Sequence, residues 1–133
     1  MGDNGLLLKM FDTRSKIVSV EAFLDYAQAQ PTLKIVAALL DPLYAPHVQA
    51  LGEIAGDGKL MIIVETLPSP LLDARARAEL AAALELVELV TIADATASRQ
   101  LHAQLGSRII DQRPADAARY TGLAAHVRQR NNV

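Results

Sequence analysis

Apolar residues fall along this chain in two alternating rhythms, short unbroken runs and stretches in which they recur every three or four positions. Between Ser19 and Gln30 the residues Val20, Phe23, Leu24 and Ala27 keep the second rhythm, with Ser19 as N-cap and Pro31 beyond the end, so a first helix is predicted there. Lys34 to Leu40 (KIVAALL) is a continuous apolar run rich in β-branched residues, the pattern of a strand buried on both faces, and Asp41 and Pro42 end it. His47 to Ala55 carries Val48, Leu51, Ile54 and Ala55 on one helical face before the Gly-Asp-Gly at 56–58 stops it. Lys59 to Glu65 (KLMIIVE) predicts a second buried strand. Past Pro68, Ser69 and Pro70, an Ala- and Leu-rich helix is predicted over Leu72 to Leu86, and a third strand over Leu89 to Ala93.

Asp94 or Thr96 then caps a helix that runs through Leu105 and closes at Gly106, and Ser107 to Asp111 forms a fourth short strand. After Arg113 and Pro114 a last amphipathic helix is predicted from Asp116 to about Arg130, with Tyr120, Leu123 and Val127 on one side. Strands alternating with helices through short loops imply an α/β domain built on a parallel sheet with helices on both faces and right-handed crossovers. Ligands of such sheets bind beyond the carboxyl ends of the strands, where strand order reverses. That directs attention to the loop from Asp41 to His47, which follows the first predicted strand and opens the next helix.

Composition narrows the picture. With 133 residues, 51% hydrophobic and 21% charged, the chain suits one domain with a core of its own; Met1 to Ser15 reads as a tail, and 16–133 as a single domain. A net charge of −2 and only 4% aromatic residues argue against a nucleic-acid partner. Without cysteine there are no disulfides, thiolate metal sites or thiol nucleophiles, which suits a cytoplasmic protein. Leu6, Leu7 and Leu8 are followed at once by Lys9, and no run reaches the roughly 18 apolar residues of a membrane span, so neither a signal peptide nor a membrane helix is predicted.

The stretch from Ala38 to His47 reads A-L-L-D-P-L-Y-A-P-H. In a gap-free register it resembles the G-x-F-D-x-L-H-x-G-H signature of cytidylyltransferase-like nucleotidyltransferases. The likeness is nearest to the adenylyltransferase domain of the bifunctional heptose enzyme of lipopolysaccharide core synthesis. Ser15 to Tyr26 is similar to that domain's leading helix, Leu33 to Val36 to the start of its first strand, and Gly58 to Val64 to its second strand. Arg77 to Val90 is similar to its third helix and fourth strand, including the acidic Glu88. The resemblance spans roughly 15–111 and implies a Rossmann-like three-layer sandwich with a parallel sheet of four to five strands. It also implies a site for a nucleotide or sugar phosphate, with His47 and Tyr44 at the catalytic histidine positions and Ala38, Leu40, Asp41, Pro46, Arg75 and Arg77 on the nucleotide side. An active member would transfer AMP or CMP from a nucleoside triphosphate with Mg²⁺ to a phosphorylated sugar or alcohol. No metal site made by the protein itself is predicted.

The departures from the signature bear on the chemistry. In the family the two histidines contact phosphates and stabilise the charge of departing pyrophosphate, while the glycines let backbone N–H groups come close. Here those positions hold Ala38, Tyr44 and Pro46, and Leu40 replaces a phenylalanine. Ala38 adds a methyl group, Pro46 removes an amide donor, and Tyr44, a phenol, can donate one hydrogen bond but brings no positive charge. Each preorganised donor lost from such a site typically costs about 2.7 to 4 kcal/mol of transition-state stabilisation. The family's basic G-x-G-R-P-like loop is reduced to T-L-P-S-P at Thr66 to Pro70, and its S-T-T-x-x-I segment has no counterpart.

Plainer readings stand beside these. Asp41 reads first as a loop organiser bonding backbone N–H groups. Tyr44 is equally suited to packing over the loop, and His47 to a cap at the helix start. Arg75 and Arg77, near Asp73 and Glu79, read first as a solvated face, and neither His102 nor His126 has neighbours at metal-ligand spacing. The expected function is therefore a divergent, catalytically impaired nucleotidyltransferase-like protein that binds a nucleotide or sugar phosphate. The alternatives are an active nucleotidyltransferase and a non-catalytic dimerisation module, which would make the chain a homo-oligomer.

Overall fold

A computed structural model describes residues 12–68, 70, 72–119 and 121. A 3₁₀ turn at Thr13–Lys16 leads into β1 (Ile17–Val18), then α1 (Val20–Ala29), β2 (Lys34–Ala38), α2 (Ala45–Ala55), β3 (Leu60–Glu65), α3 (Ala74–Ala82), β4 (Val87–Ala93), α4 (Ala95–Leu105) and β5 (Ile109–Asp111). A final helical segment begins at 113. The five strands form one all-parallel sheet in the order β1-β4-β3-β2-β5. This is the expected α/β architecture of three layers with a Rossmann-like strand order.

Alternation along each strand explains the layers. Val36 and Ala38 of β2, with Leu60, Ile62 and Val64 of β3, pack with Leu51 and Ala55 of α2 and Ala78, Ala81 and Ala82 of α3. Ile35 and Ala37, with Met61 and Ile63, point the other way onto Phe23 and Ala27 of α1 and Leu101 of α4. Ile35, Met61 and Ile62 are almost wholly removed from water, and each such side chain contributes roughly 1.5 to 3 kcal/mol of burial free energy. Small residues on α3 let that helix lie close to the sheet.

The boundaries differ from the sequence pattern at informative places. The predicted tail holds a 3₁₀ turn, and Ile17 and Val18, read as part of the leading helix, form an edge strand on Val90 and Thr91 of β4. The Thr91 hydroxyl donates to the Val18 carbonyl at 2.9 Å, which ties this edge to the sheet. β2 stops at Ala38 rather than Leu40, because Leu40 turns into the left-handed region at φ 51°. α3 ends at Ala82 and β4 begins at Val87, two residues ahead of the predicted start, since the chain turns through Leu84 to Leu86 without a glycine or proline to announce it. The last helix starts at 113, before Asp116; its predicted continuation through Tyr120, Leu123, His126 and Val127 to Arg130 lies outside the described residues except for Thr121, as does the tail before Asp12. No described helix is long and apolar enough to cross a membrane.

Candidate functional site at the carboxyl edge

β2 has β3 on one side and β5 on the other, so the chain leaves β2 in one direction and returns to its other flank. The carboxyl ends of β2 and β5 thus mark the point where strand order reverses, the place at which ligands of such sheets bind. Two segments border it: residues 39–47, after β2, and residues 112–119, after β5. Gln112 N–H donates to the Ala37 carbonyl at 2.8 Å, which carries the β5–β2 pairing up to the carboxyl edge.

His47 sits in the first turn of α2 and is 1% exposed. Its Nδ1 accepts the Tyr44 N–H at 3.4 Å, the local cap that this helix start needs. Nδ1 is therefore the unprotonated nitrogen, and Nε2 carries the hydrogen. Nε2 lies 3.3 Å from Asp116 Oδ1, within ion-pair distance but off the line of a good hydrogen bond. Burial pushes the imidazole below its ordinary pKa; Asp116 opposes that shift and Arg119 reinforces it. His47 is accordingly neutral at pH 7 and turned inward, bonded at Nδ1 and with Nε2 facing Asp116.

Asp116 is the second buried group, 2% exposed, and burial raises its carboxyl. Its Oδ2 accepts the Leu39 N–H at 2.9 Å, and the Leu40 N–H faces the same carboxyl and favours its charged form. Arg119 Nη1 reaches Oδ1 at 3.1 Å. Tyr44 closes the group from above: its hydroxyl donates to the Arg119 carbonyl at 3.4 Å, and its ring meets the His47 ring edge-on at 4.6 Å.

A second cluster braces the loop. Arg77 is fully buried and donates to the carbonyls of Leu72, Leu39 and Glu65, three segments that would otherwise end in unpaired acceptors. The expectation of a solvated face therefore fails for Arg77. It holds for Arg75, which is exposed and paired with Glu79 at 3.2 Å. Asp41 Oδ1 accepts the Leu72 N–H at 2.7 Å, the organising role expected of it. Next to these, Glu65 at the end of β3 pairs with Arg113 and receives the Ser98 hydroxyl at 3.4 Å, while Arg113 also holds Asp111 at 2.8 Å. The Asp111 hydrogen bond and Glu65 raise the Arg113 guanidinium against its desolvation, and that same hydrogen bond lowers Asp111.

The predicted residues are thus brought to one region but not to one surface. Ala38 and Leu40 have their side chains in the core beneath the sheet edge, and Ala38 stays in the β2–β3 ladder opposite Val64. Pro46 lies in the exposed first turn of α2, where a missing N–H costs nothing. Sequence reasoning missed Asp116 and Arg119 as site residues and gave Glu65 and Arg113 no role. The only signal was an Asp and an Arg three apart after Pro114, which is indistinguishable from an ordinary helix start. A shallow cavity of about 370 Å³ lies at the opposite, amino edge, lined by Asp57, Gly58, Lys59, Leu84, Glu85 and Leu86.

A scan against protein-family models and a search of curated proteins each found no match to this chain.

Proposed function

We propose that this chain is a divergent nucleotidyltransferase-like domain that binds a nucleotide or sugar phosphate at its carboxyl edge without transferring it. The single observation that carries the loss of transfer is His47, the one histidine in the signature-like stretch. Transfer requires donors aimed at the charge that develops on departing pyrophosphate. His47 is neutral and turned inward between Tyr44 N–H and Asp116, and the Tyr44 hydroxyl is engaged by the Arg119 carbonyl. Pro46 has no N–H to offer. The binding half of the reading is supported by the strand order, which reverses between β2 and β5, and by the resemblance of the 38–47 loop.

The test is thermal stabilisation by ATP and by CTP with Mg²⁺, run beside a pyrophosphate-release assay with sugar phosphates as acceptors. Stabilisation without pyrophosphate is the expected result. Pyrophosphate release above the no-protein rate sinks the non-catalytic half of the reading, and the absence of any nucleotide or sugar-phosphate response sinks the binding half.

A further inference from the structure

The groups that converge on Asp116 are those that bind a free anion. The Leu39 N–H bonds the carboxylate and the next amide, of Leu40, faces it, while a buried imidazole edge and a guanidinium approach the same group at the sheet's switch point. Consecutive amides converge in this way when the backbone passes through a left-handed residue, and Leu40 is one, at φ 51°. A leucine in that conformation is strained, and such strain persists only where the surroundings fix it. Here the Leu40 side chain is locked in the core while its amide faces Asp116. The cradle comes from α2 and the loop before it, whereas the anion and the guanidinium come from residues 69 and more positions further along the chain.

We infer that the 38–47 loop forms an anion cradle that the chain fills with its own Asp116 carboxylate, so that a phosphate or carboxylate ligand enters only by displacing it. This rests on reading the carboxyl edge as the ligand site. Asp116 then acts as an internal occupant that keeps the site closed. The segment 112–119 is the element that must shift for the site to open, and Tyr44 and Arg119, which join it to the loop, set how readily it does so. The guanidinium of Arg119 belongs to the moving segment, while the Leu39 and Leu40 amides and His47 stay with the loop.

The experiment uses simple anions and no nucleotide. Asp116→Ala leaves the cradle without its carboxylate, and Asp116→Asn fills the same space without charge. Melting temperatures are measured for both variants and the unaltered protein in about 100 mM chloride, acetate or inorganic phosphate at matched ionic strength. Acetate or phosphate is expected to raise Asp116→Ala by about 3 to 6 °C over chloride, and to leave the unaltered protein and Asp116→Asn within about 1 °C. Adding His47→Ala to Asp116→Ala should abolish the rescue. Equal responses in all three proteins, or none in Asp116→Ala, overturn the inference; a variant that is unfolded in chloride and stays unfolded in every anion counts against it as well. Anion rescue with no ATP, CTP or sugar-phosphate response in the unaltered protein keeps the cradle and removes the proposed function. A nucleotide response without anion rescue does the reverse.

Discussion

Of the helices that begin at the carboxyl edge of the sheet, α4 after β4 and α2 after β2 are secured in opposite ways. α4 is capped by its own neighbour: Asp94 accepts the Ala97 N–H at 2.7 Å, and both residues lie near the surface. α2 has no such cap. Its start is held by the His47 ring, which is itself pressed against Asp116, and Asp116 reaches back 77 residues in sequence to the Leu39 amide. Water can substitute for the first arrangement at small cost, but not for the second, because the groups it joins are nearly inaccessible to it. A helix start that depends on a remote, buried partner is one whose environment changes when that partner moves.

The largest effect expected from breaking this contrast is at the brace behind α2. Arg77→Ala removes a buried guanidinium and strands the Leu39, Glu65 and Leu72 carbonyls, which should cost on the order of 4 kcal/mol in urea unfolding. A loss under about 1 kcal/mol would mean that water replaces the guanidinium there. His47→Gln comes next, at about 2 kcal/mol at pH 7, since the Tyr44 N–H and the Asp116 carboxylate both lose a fixed partner.

The same residue carries the pH dependence. Burial holds the folded-state pKa of His47 below its ordinary 6.5. On acidification the unfolded chain therefore takes up the proton first, and stability present above pH 6.5 is lost as pH falls toward the folded value. Asp116 is shifted upward from 3.8 and acts in the opposite sense, with its contribution present at low pH and lost as pH rises through its folded value, so the decline should flatten further into acid. Melting temperature should fall between about pH 7 and 5.5 in the unaltered protein and change less in His47→Gln. Parallel curves for the two proteins would place the titration elsewhere. The smallest effect is at the other helix: Asp94→Ala should cost only about 1 kcal/mol, read from the same urea curves, because one local cap is lost and solvent is at hand.

The contrast also marks how far the sequence could be read. α4 was legible to the residue at its end and to within two residues at its start, because Gly106 and the Asp94-or-Thr96 cap are local signals on either side of an amphipathic stretch. β2 and β3 were legible because continuous apolar runs have few other solutions in a chain this short. β1 was not, since two residues show no period, and the end of α3 was not, since Ala- and Leu-rich composition continues past the point where the chain turns. At the site, Asp41 could be read from its residue type at a strand end, which suits bonding backbone N–H groups, although the amide it holds, Leu72, lies 31 residues further along the chain. The inward turn of His47 could not, because it depends on Asp116 and Arg119 arriving from another segment. Nor does a leucine announce a left-handed backbone; Leu40 adopts it under the pull of its buried side chain and the amide contact beyond.

The position of β5 has a consequence for how the chain is made. β2 lies inside the sheet only because Ile109 to Asp111 pair along its outer flank, and these leave the ribosome after β1 to β4. Until they emerge, β1 to β4 can assemble with β2 as an exposed edge whose side chains are already apolar on both faces. A nascent or truncated chain that stops short of 109 carries that open edge into a crowded solution, where another copy is the nearest strand to pair with.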